Sequence, residues 1–406
     1  MNREISIIGC GMGSKESMTE KALESLRTAQ LLFGPERLVK TLVREGQRAC
    51  CGYRTQELRS VIETAKEEKI AVLVSGDSGF YSAAPAYANL LAGLPEQFTL
   101  RICPGVSSLS YLAARTAQSW GDAQIYSLHG RAQNYYASLC ADEKFALLGG
   151  EGFAEVLKEL CTLGFGESTV WIGECFGSPE EKVRCGSAEE LADTAMDPLS
   201  LLLVQPKGNG KILRSCGIAD DDFIRGDVPI TKSEVRAVTM SRLAVGHRDV
   251  VYDIGAGTGS VSVECSIAAA YGEVYAIEKE EKALELLQKN KNRFLCRNLQ
   301  IVAGMAPEVL AELPKPDKAF IGGSGGKMKD ILKCLKQKNP VIHVVINAAA
   351  LETLQESIKA LKEAGFTEPE ISQLCVSRSV TRGRYHMMEG LNPVYVITAE
   401  GKGGEA

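Results

Sequence analysis

Between residues 250 and 278 the chain carries an apolar triplet, a glycine turn and, one apolar run later, an acid. Val250-Val251-Tyr252 leads into Asp253-Ile254-Gly255-Ala256-Gly257-Thr258-Gly259. Glu278 then closes Val274-Tyr275-Ala276-Ile277, 19 residues past Gly259. Alternating glycines let a turn approach a ligand closely, and an acid at the next strand end can grip a ribose. This spacing selects an open α/β sheet that binds a nucleoside. A second glycine loop, Gly9-Cys10-Gly11-Met12-Gly13, follows Ile5-Ser6-Ile7-Ile8 near the N-terminus. Two such loops predict two catalytic units.

The same strand, glycine turn, helix order recurs along the chain. In the first half, Met18 to Leu32 reads as a helix with Thr19 as its cap, and 58–69 as a second. Ile70 to Val74 reads as a strand running into Ser75-Gly76-Asp77-Ser78-Gly79-Phe80, and 98–103 as a strand turning at Pro104-Gly105. Strands are expected near 169–175 and 199–204. Pro206-Lys207-Gly208-Asn209-Gly210 is polar, glycine-rich and punctuated by proline, which suits a linker. The expected division is 1–207, a linker at 208–214, and 215–406. In the second half, strands and helices alternate from Val250 to Ala364. Two last strands, 371–376 and 394–399, flank a long polar loop, so a mostly parallel sheet closed by an antiparallel pair is expected.

A chain of 406 residues with 45% hydrophobic and 24% charged residues has material for two or three cores. Its net charge of -5 does not favour nucleic acid. Residues 1–207 hold 20 Lys and Arg against 26 Asp and Glu, and the remainder 26 against 25, so neither half is a basic footprint. The 13 cysteines are scattered without a Cys-x-x-Cys pair, which reads as free thiols in a reducing compartment. No apolar run approaches a bilayer span, and a cytoplasmic protein with no membrane partner is expected. The four histidines are far apart, and no metal site is expected.

The turn at 255–259 places Ser260 where a dinucleotide fingerprint has its third glycine. Asp253 would repel a pyrophosphate but welcome the ammonium of S-adenosylmethionine, and Glu278 could accept from ribose hydroxyls. Adenosylmethionine therefore fits better than NAD, while NAD and a tight turn without a ligand stay as alternatives on these residues alone. Lys232 and Arg236 stand near a helix start before the first strand. The segment from Arg378 to His386 holds three arginines within seven positions. Such cations suit carboxylates of a small molecule, and solvated capping groups are the plain alternative for Lys232 and Arg236. His129, beside Gly130-Arg131 at a strand end, looks the most functional of the histidines.

The ordered set of motifs resembles the fused, bifunctional precorrin-6Y C5,15-methyltransferases (decarboxylating) of cobalamin biosynthesis over nearly the whole length. It comprises Gly9–Gly13, Ser75–Tyr81, Cys103–Ser108, Ser127–Arg131, Thr231–Arg236, Asp253–Ser260, Phe320–Gly326 and Asn392–Tyr395. The resemblance implies an N-terminal tetrapyrrole methyltransferase fold of two α/β subdomains. It also implies a C-terminal Rossmann-like class I methyltransferase fold with a mostly parallel seven-stranded sheet. Expected activities are S-adenosylmethionine-dependent methylation of precorrin-6B or cobalt-precorrin-6B at C5 and C15, with loss of the C12 acetate carboxylate. It implies cofactor contacts at Gly76, Asp77, Gly79, Pro104, Gly105, Val106 and Ser107 in the first unit. In the second it implies Asp253, Gly255, Gly257, Gly259, Glu278 and Met305. Substrate contacts fall on Gly11, His129, Lys232, Arg236, Arg382 and Arg384, with Tyr385 and His386 as candidate proton donors. A homo-oligomer is implied, with a tetramer through the C-terminal unit as one form. One departure stands out: similar domains usually carry an aspartate where this chain has Met305 in Gly304-Met305-Ala306.

Overall fold

A computed structural model describes residues 3–95, 98–128, 133–149, 153–197, 199–208 and 216–402. The chain forms two compact units. Met1–Ala123, Ala146–Lys158 and Gly166–Gln205 make the first; Gln124–Phe145, Glu159–Phe165 and Pro206–Ala406 make the second.

The first unit opens with five strands: β1 (Arg3–Gly9), β2 (Leu31–Gly34), β3 (Arg48–Cys51), β4 (Lys69–Val74) and β5 (Phe98–Cys103). They pair in parallel in the order β3-β2-β4-β1-β5. Ile5, Ile7 and Ile8 of β1 and the run Ile70 to Val74 of β4 are buried, as expected when helices cover both faces of a parallel sheet. Thr19 does cap a helix, accepting from the Ala22 N–H at 3.3 Å. That helix is Glu20–Thr28, however, and the chain continues into β2 where the sequence reading had extended it to Leu32. Leu31-Leu32-Phe33 is buried on both faces, and a continuous apolar run does not reveal its period.

The next strands are β6 (Gln124–Ser127), β7 (Phe145–Leu148), β8 (Thr169–Glu174), β9 (Lys182–Ser187) and β10 (Leu201–Gln205). In the first unit β7, β10, β8 and β9 lie side by side in that order, with β8 antiparallel to both neighbours. The half-exposed β9 has no apolar alternation to betray it. The residues around β6 count with the second unit because their side chains pack there. Asn134 Nδ2 donates to Ser266 Oγ at 3.0 Å, and the Tyr126 and Tyr271 rings stack at 5.3 Å.

The second unit is built on β11 (Val250–Ile254), β12 (Glu273–Glu278), β13 (Leu299–Ala303), β14 (Lys318–Ile321), β15 (His343–Ala348), β16 (Glu370–Leu374) and β19 (Val394–Glu400), with β17 (Ser377–Arg382) and β18 (Tyr385–Gly390) between the last two. The sheet order is β13-β12-β11-β14-β15-β19-β16. β19 runs antiparallel to both β15 and β16, and the pairs from β13 to β15 are parallel. Strand order reverses at β11, and open α/β sheets receive their ligands in the crevice at the carboxyl end of such a strand. The segment expected as a long polar loop is instead a hairpin, β17 paired antiparallel with β18. Its turn is Gly383-Arg384, with Gly383 at φ +63°. Among the described residues, no helix is long and apolar enough to cross a membrane.

Candidate cofactor and substrate sites

The turn after β11 is shaped by Gly255 and Gly259, where a side chain would meet its neighbours. Gly255 has φ +75°, and a Cβ there would lie 2.7 Å from the Gly323 nitrogen. Gly259, at φ +81°, ends the turn and starts the helix Ser260–Ala268. Gly257 donates its N–H to Glu278 Oε2 at 2.8 Å, so the turn is held against the end of β12. Glu278 Oε1 accepts from the Lys279 and Glu280 N–H groups at 2.7 and 3.0 Å. A cleft of about 220 Å³ opens here. The predicted Gly255, Glu278 and Met305 all line it, while Asp253, Gly257 and Gly259 do not. Sequence reading missed Lys279 and Gly323-Ser324-Gly325 as lining residues, although the glycine run after β14 marked that loop.

Asp253 is fully buried, where the sequence reading had it facing an ammonium group. Ser262 donates its hydroxyl to Oδ2, and Oδ1 has no partner. Burial pushes this carboxyl up to about 7; the Ser262 hydrogen bond opposes the rise and the Glu278 charge adds to it. A buried, half-satisfied acid under the glycine turn favours a positive charge placed above it.

Arg236 is not available to a substrate. It is completely buried, its Nε 2.7 Å from Glu264 Oε1 and its NH1 3.4 Å from Asp220 Oδ1, and it also donates to the Thr231 and Ile218 carbonyls. The Phe223 ring lies 4.8 Å from its guanidinium carbon. A guanidinium so deep needs partners for its nitrogens, and the network gives one to each of the three. Arg378 of β17 joins the same network: it donates to Asp220 Oδ2 at 2.9 Å and pairs with both oxygens of Glu234. Glu234 is held down at about 2, chiefly by the Arg378 hydrogen bond. Lys232 stands half-buried at the start of the helix Ser233–Leu243. Arg382, Arg384, Tyr385 and His386 all sit exposed on the hairpin. The Arg384 guanidinium stacks 5.0 Å from the Tyr385 ring, and His386 Nδ1 is 3.4 Å from Thr381 Oγ1.

In the first unit, the glycine loops after β1, β4 and β5 meet. Gly11 and Gly76 form a backbone bridge, with Gly76 N–H to the Gly11 carbonyl at 2.9 Å. A Cβ on Gly105 would fall 2.3 Å from the Gly76 oxygen and 2.7 Å from that of Gly9. Asp77 ties two of the loops together, accepting from Gly79 N–H at 2.7 Å and from Gly105 N–H at 2.9 Å. Ser107 caps the helix Ser108–Thr116, Pro104 offers its carbonyl to Thr19 Oγ1, and Val106 is partly exposed. Gly11, Gly76, Asp77, Gly79 and the 104–107 segment are thus brought together, while His129 lies outside the described residues.

The two units match known proteins. Residues 4–192 match the tetrapyrrole (corrin/porphyrin) methylase family and 222–400 the precorrin methyltransferase domain. A probable cobalt-precorrin-6B C(15)-methyltransferase (decarboxylating) from Pyrobaculum calidifontis is 42% identical over 45% of this chain and 95% of its own length. The chain belongs to the decarboxylating precorrin methyltransferases. Within them it is of the fused kind. A precorrin-6Y C(5,15)-methyltransferase [decarboxylating] from Sinorhizobium is 28% identical over 82% of both chains. Among solved structures, a precorrin-6y C5,15-methyltransferase from Geobacter metallireducens is 38% identical, covering 46% of this chain and 98% of its own, with a TM-score of 0.44.

Proposed function

We propose that this chain methylates a reduced, multiply carboxylated tetrapyrrole of the precorrin-6B type, metal-free or cobalt-bound, at two carbons. The catalytic unit spanning 1–207 would act at C5. The unit spanning 215–406 would act at C15 and remove carbon dioxide from the C12 acetate, giving precorrin-8 or its cobalt form; 208–214 would link them. The similarity to a fused relative across 82% of both chains carries this reading. The cleft between Gly255, Glu278 and Met305 supports it.

Bound at each glycine turn, S-adenosylmethionine supplies an electrophilic methyl group on a cationic sulfur. The first-unit turn would be formed by Gly76, Asp77, Gly79 and Pro104 to Ser107. In the second, Glu278 would accept the ribose hydroxyls, the 255–259 turn would carry the amino-acid end, and Asp253 would act from below. The chain needs no activated serine or cysteine; it must hold the carbon nucleophile in line with the methyl group and exclude water. For decarboxylation, the electron pair of the broken carbon–carbon bond passes into the macrocycle and a proton replaces the carboxylate. Tyr385 or His386 would supply that proton. Lys232, Arg382 and Arg384 would hold the ring and its acidic arms for the C15 reaction, and Gly11 and His129, both within 1–207, would do so for the C5 reaction. Arg236 is withdrawn from that role because its donors are consumed in the core.

Product mass spectrometry on the full chain with adenosylmethionine and each macrocycle form tests the reading. Two methyl gains with loss of one carbon dioxide are expected; transfer of no methyl group to either form would refute it. The exposed Tyr385, Met387 and Met388 of β18 support a homo-oligomer formed through the hairpin. Light scattering before and after Met388→Glu should show a loss of oligomer, and an unchanged mass would remove the hairpin from the interface.

A further inference from the structure

In an open α/β cleft, successive strand ends meet successive parts of a nucleoside. Here the glycine turn ends β11, the acid Glu278 ends β12, and Gly304-Met305-Ala306 follows β13, the next strand outward. With the ribose at Glu278, the base falls against the loop after β13. That wall contains no side-chain hydrogen-bond acceptor. Of the residues lining the cleft, only Glu278 and Ser324 carry acceptor side chains. Glu278, at the end of β12, is the acceptor for the ribose, and Ser324 belongs to the loop after β14. Met305 reaches across instead: its methyl carbon lies 2.7 Å from where a Cβ of Gly325 would stand, so Gly325, at φ +57°, makes room for it.

We infer that Met305 makes this cleft tolerant at position six of the purine, holding the base by a thioether face and not by a side-chain acceptor for its amino group. The inference rests on the reading that the cleft takes the adenosyl end of adenosylmethionine. A sulfur on the ring face or edge attracts any purine about equally. A site that hydrogen-bonds a group rejects its replacement by roughly 10⁴-fold or more, whereas an apolar site separates near-isosteres by about 100-fold at most. A 6-oxo purine should therefore be accepted nearly as well as a 6-amino one. An aspartate at 305 would restore the choice, because its carboxylate accepts from the amino group and repels the 6-oxo oxygen.

The full chain, labelled with ¹³C at its methionine methyls, provides a local readout. The Met305 resonance is assigned by its disappearance in Met305→Leu and titrated with S-adenosylhomocysteine and S-inosylhomocysteine. Both should shift it, with affinities within about fivefold. If the adenosyl compound shifts it and the inosyl compound fails to at about fiftyfold higher concentration, backbone groups read the base and the inference is overturned, although the cofactor reading stands. If neither moves the resonance, the assignment of the cleft itself falls, and the inference with it. Calorimetry on Met305→Asp completes the test. Weakening of the inosyl compound by about fiftyfold at one of the two sites is expected, and an unchanged ratio would place Met305 away from the base.

Discussion

At the residue scale, the glycine turn was legible because its constraint is local, and Asp253 was half legible because its constraint is not. The sequence placed an acid under the turn; only the fold shows that it is fully buried, bonded to Ser262 and left with one free oxygen. Arg236 was misread for the same reason. Its charge suggested a substrate, but its partners come from positions 218, 220, 231 and 264, which no spacing rule connects. The state of Asp253 has a measurable consequence. Its folded value of about 7 lies above the ordinary 3.8, so the folded state holds its proton longer than the unfolded chain does. The associated stability is complete below pH 3.8 and is lost as pH rises toward 7, amounting to a few kcal/mol. Asparagine mimics the protonated acid without titrating. Asp253→Asn should thus melt several degrees higher than the parent at pH 8, by a smaller margin at pH 5, and level with it only below about pH 3.8. Equal melting at pH 8 and pH 5 would mean that the carboxyl is not held protonated. A cation bound above Asp253 would release that proton, so adenosylmethionine should bind more tightly at pH 8 than at pH 6, and calorimetry in buffers of differing ionisation heat would count the proton.

At the element scale, periodicity revealed the strands of the second unit because its helices and strands alternate at their usual lengths. It failed at β2, where burial on both faces erases the period, and at the hairpin, where almost every residue is exposed and no apolar face exists to read. The hairpin owes its place to Arg378, whose guanidinium ties β17 to Asp220 and Glu234. Arg378→Ala should cost about 1 kcal/mol or slightly more, since it also leaves the buried Asp220 with one partner fewer. Hydrogen exchange should accelerate across 377–390 while the strands of the large sheet stay protected; unchanged exchange would show the hairpin held by something else. The lowered Glu234 value gives the sign in acid: its contribution is present above pH 4.5 and fades as pH falls toward 2. Arg382 makes only a loose 4.0 Å contact with Glu389 and is free to meet a carboxylate. Arg382→Glu should therefore raise the tetrapyrrole KM about tenfold with little change in adenosylmethionine affinity. Unaltered kinetics would remove it from the anchoring set.

At the scale of the whole molecule, two glycine-turn systems of different design occupy one chain. In the first unit, three loops close on one another through Gly11, Gly76 and Gly105, with Asp77 as the tie. In the second, a single turn rests on an acid at the next strand end. The division into two systems was legible from the repeated glycine loops, whereas the packing of two short segments within the second unit was not. Gln124–Phe145 and Glu159–Phe165 pack with residues more than a hundred positions later, a contact set by surface fit that leaves no local pattern. Two separate designs predict two separable losses. Gly105→Val would drive a side chain into the Gly9 and Gly76 carbonyls, and Gly255→Val would drive one into the Gly323 backbone. Each variant, as a full chain with a near-parental melting curve, should keep one half of the chemistry. The Gly105 variant should yield product that has lost carbon dioxide and gained a single methyl at C15. The Gly255 variant should keep its carboxylate and gain at most the methyl at C5. Mass spectrometry with carbon labelling distinguishes these products. Loss of both methylations in both variants would mean that the two turns serve one shared reaction centre, and the assignment of one carbon to each unit would then be wrong.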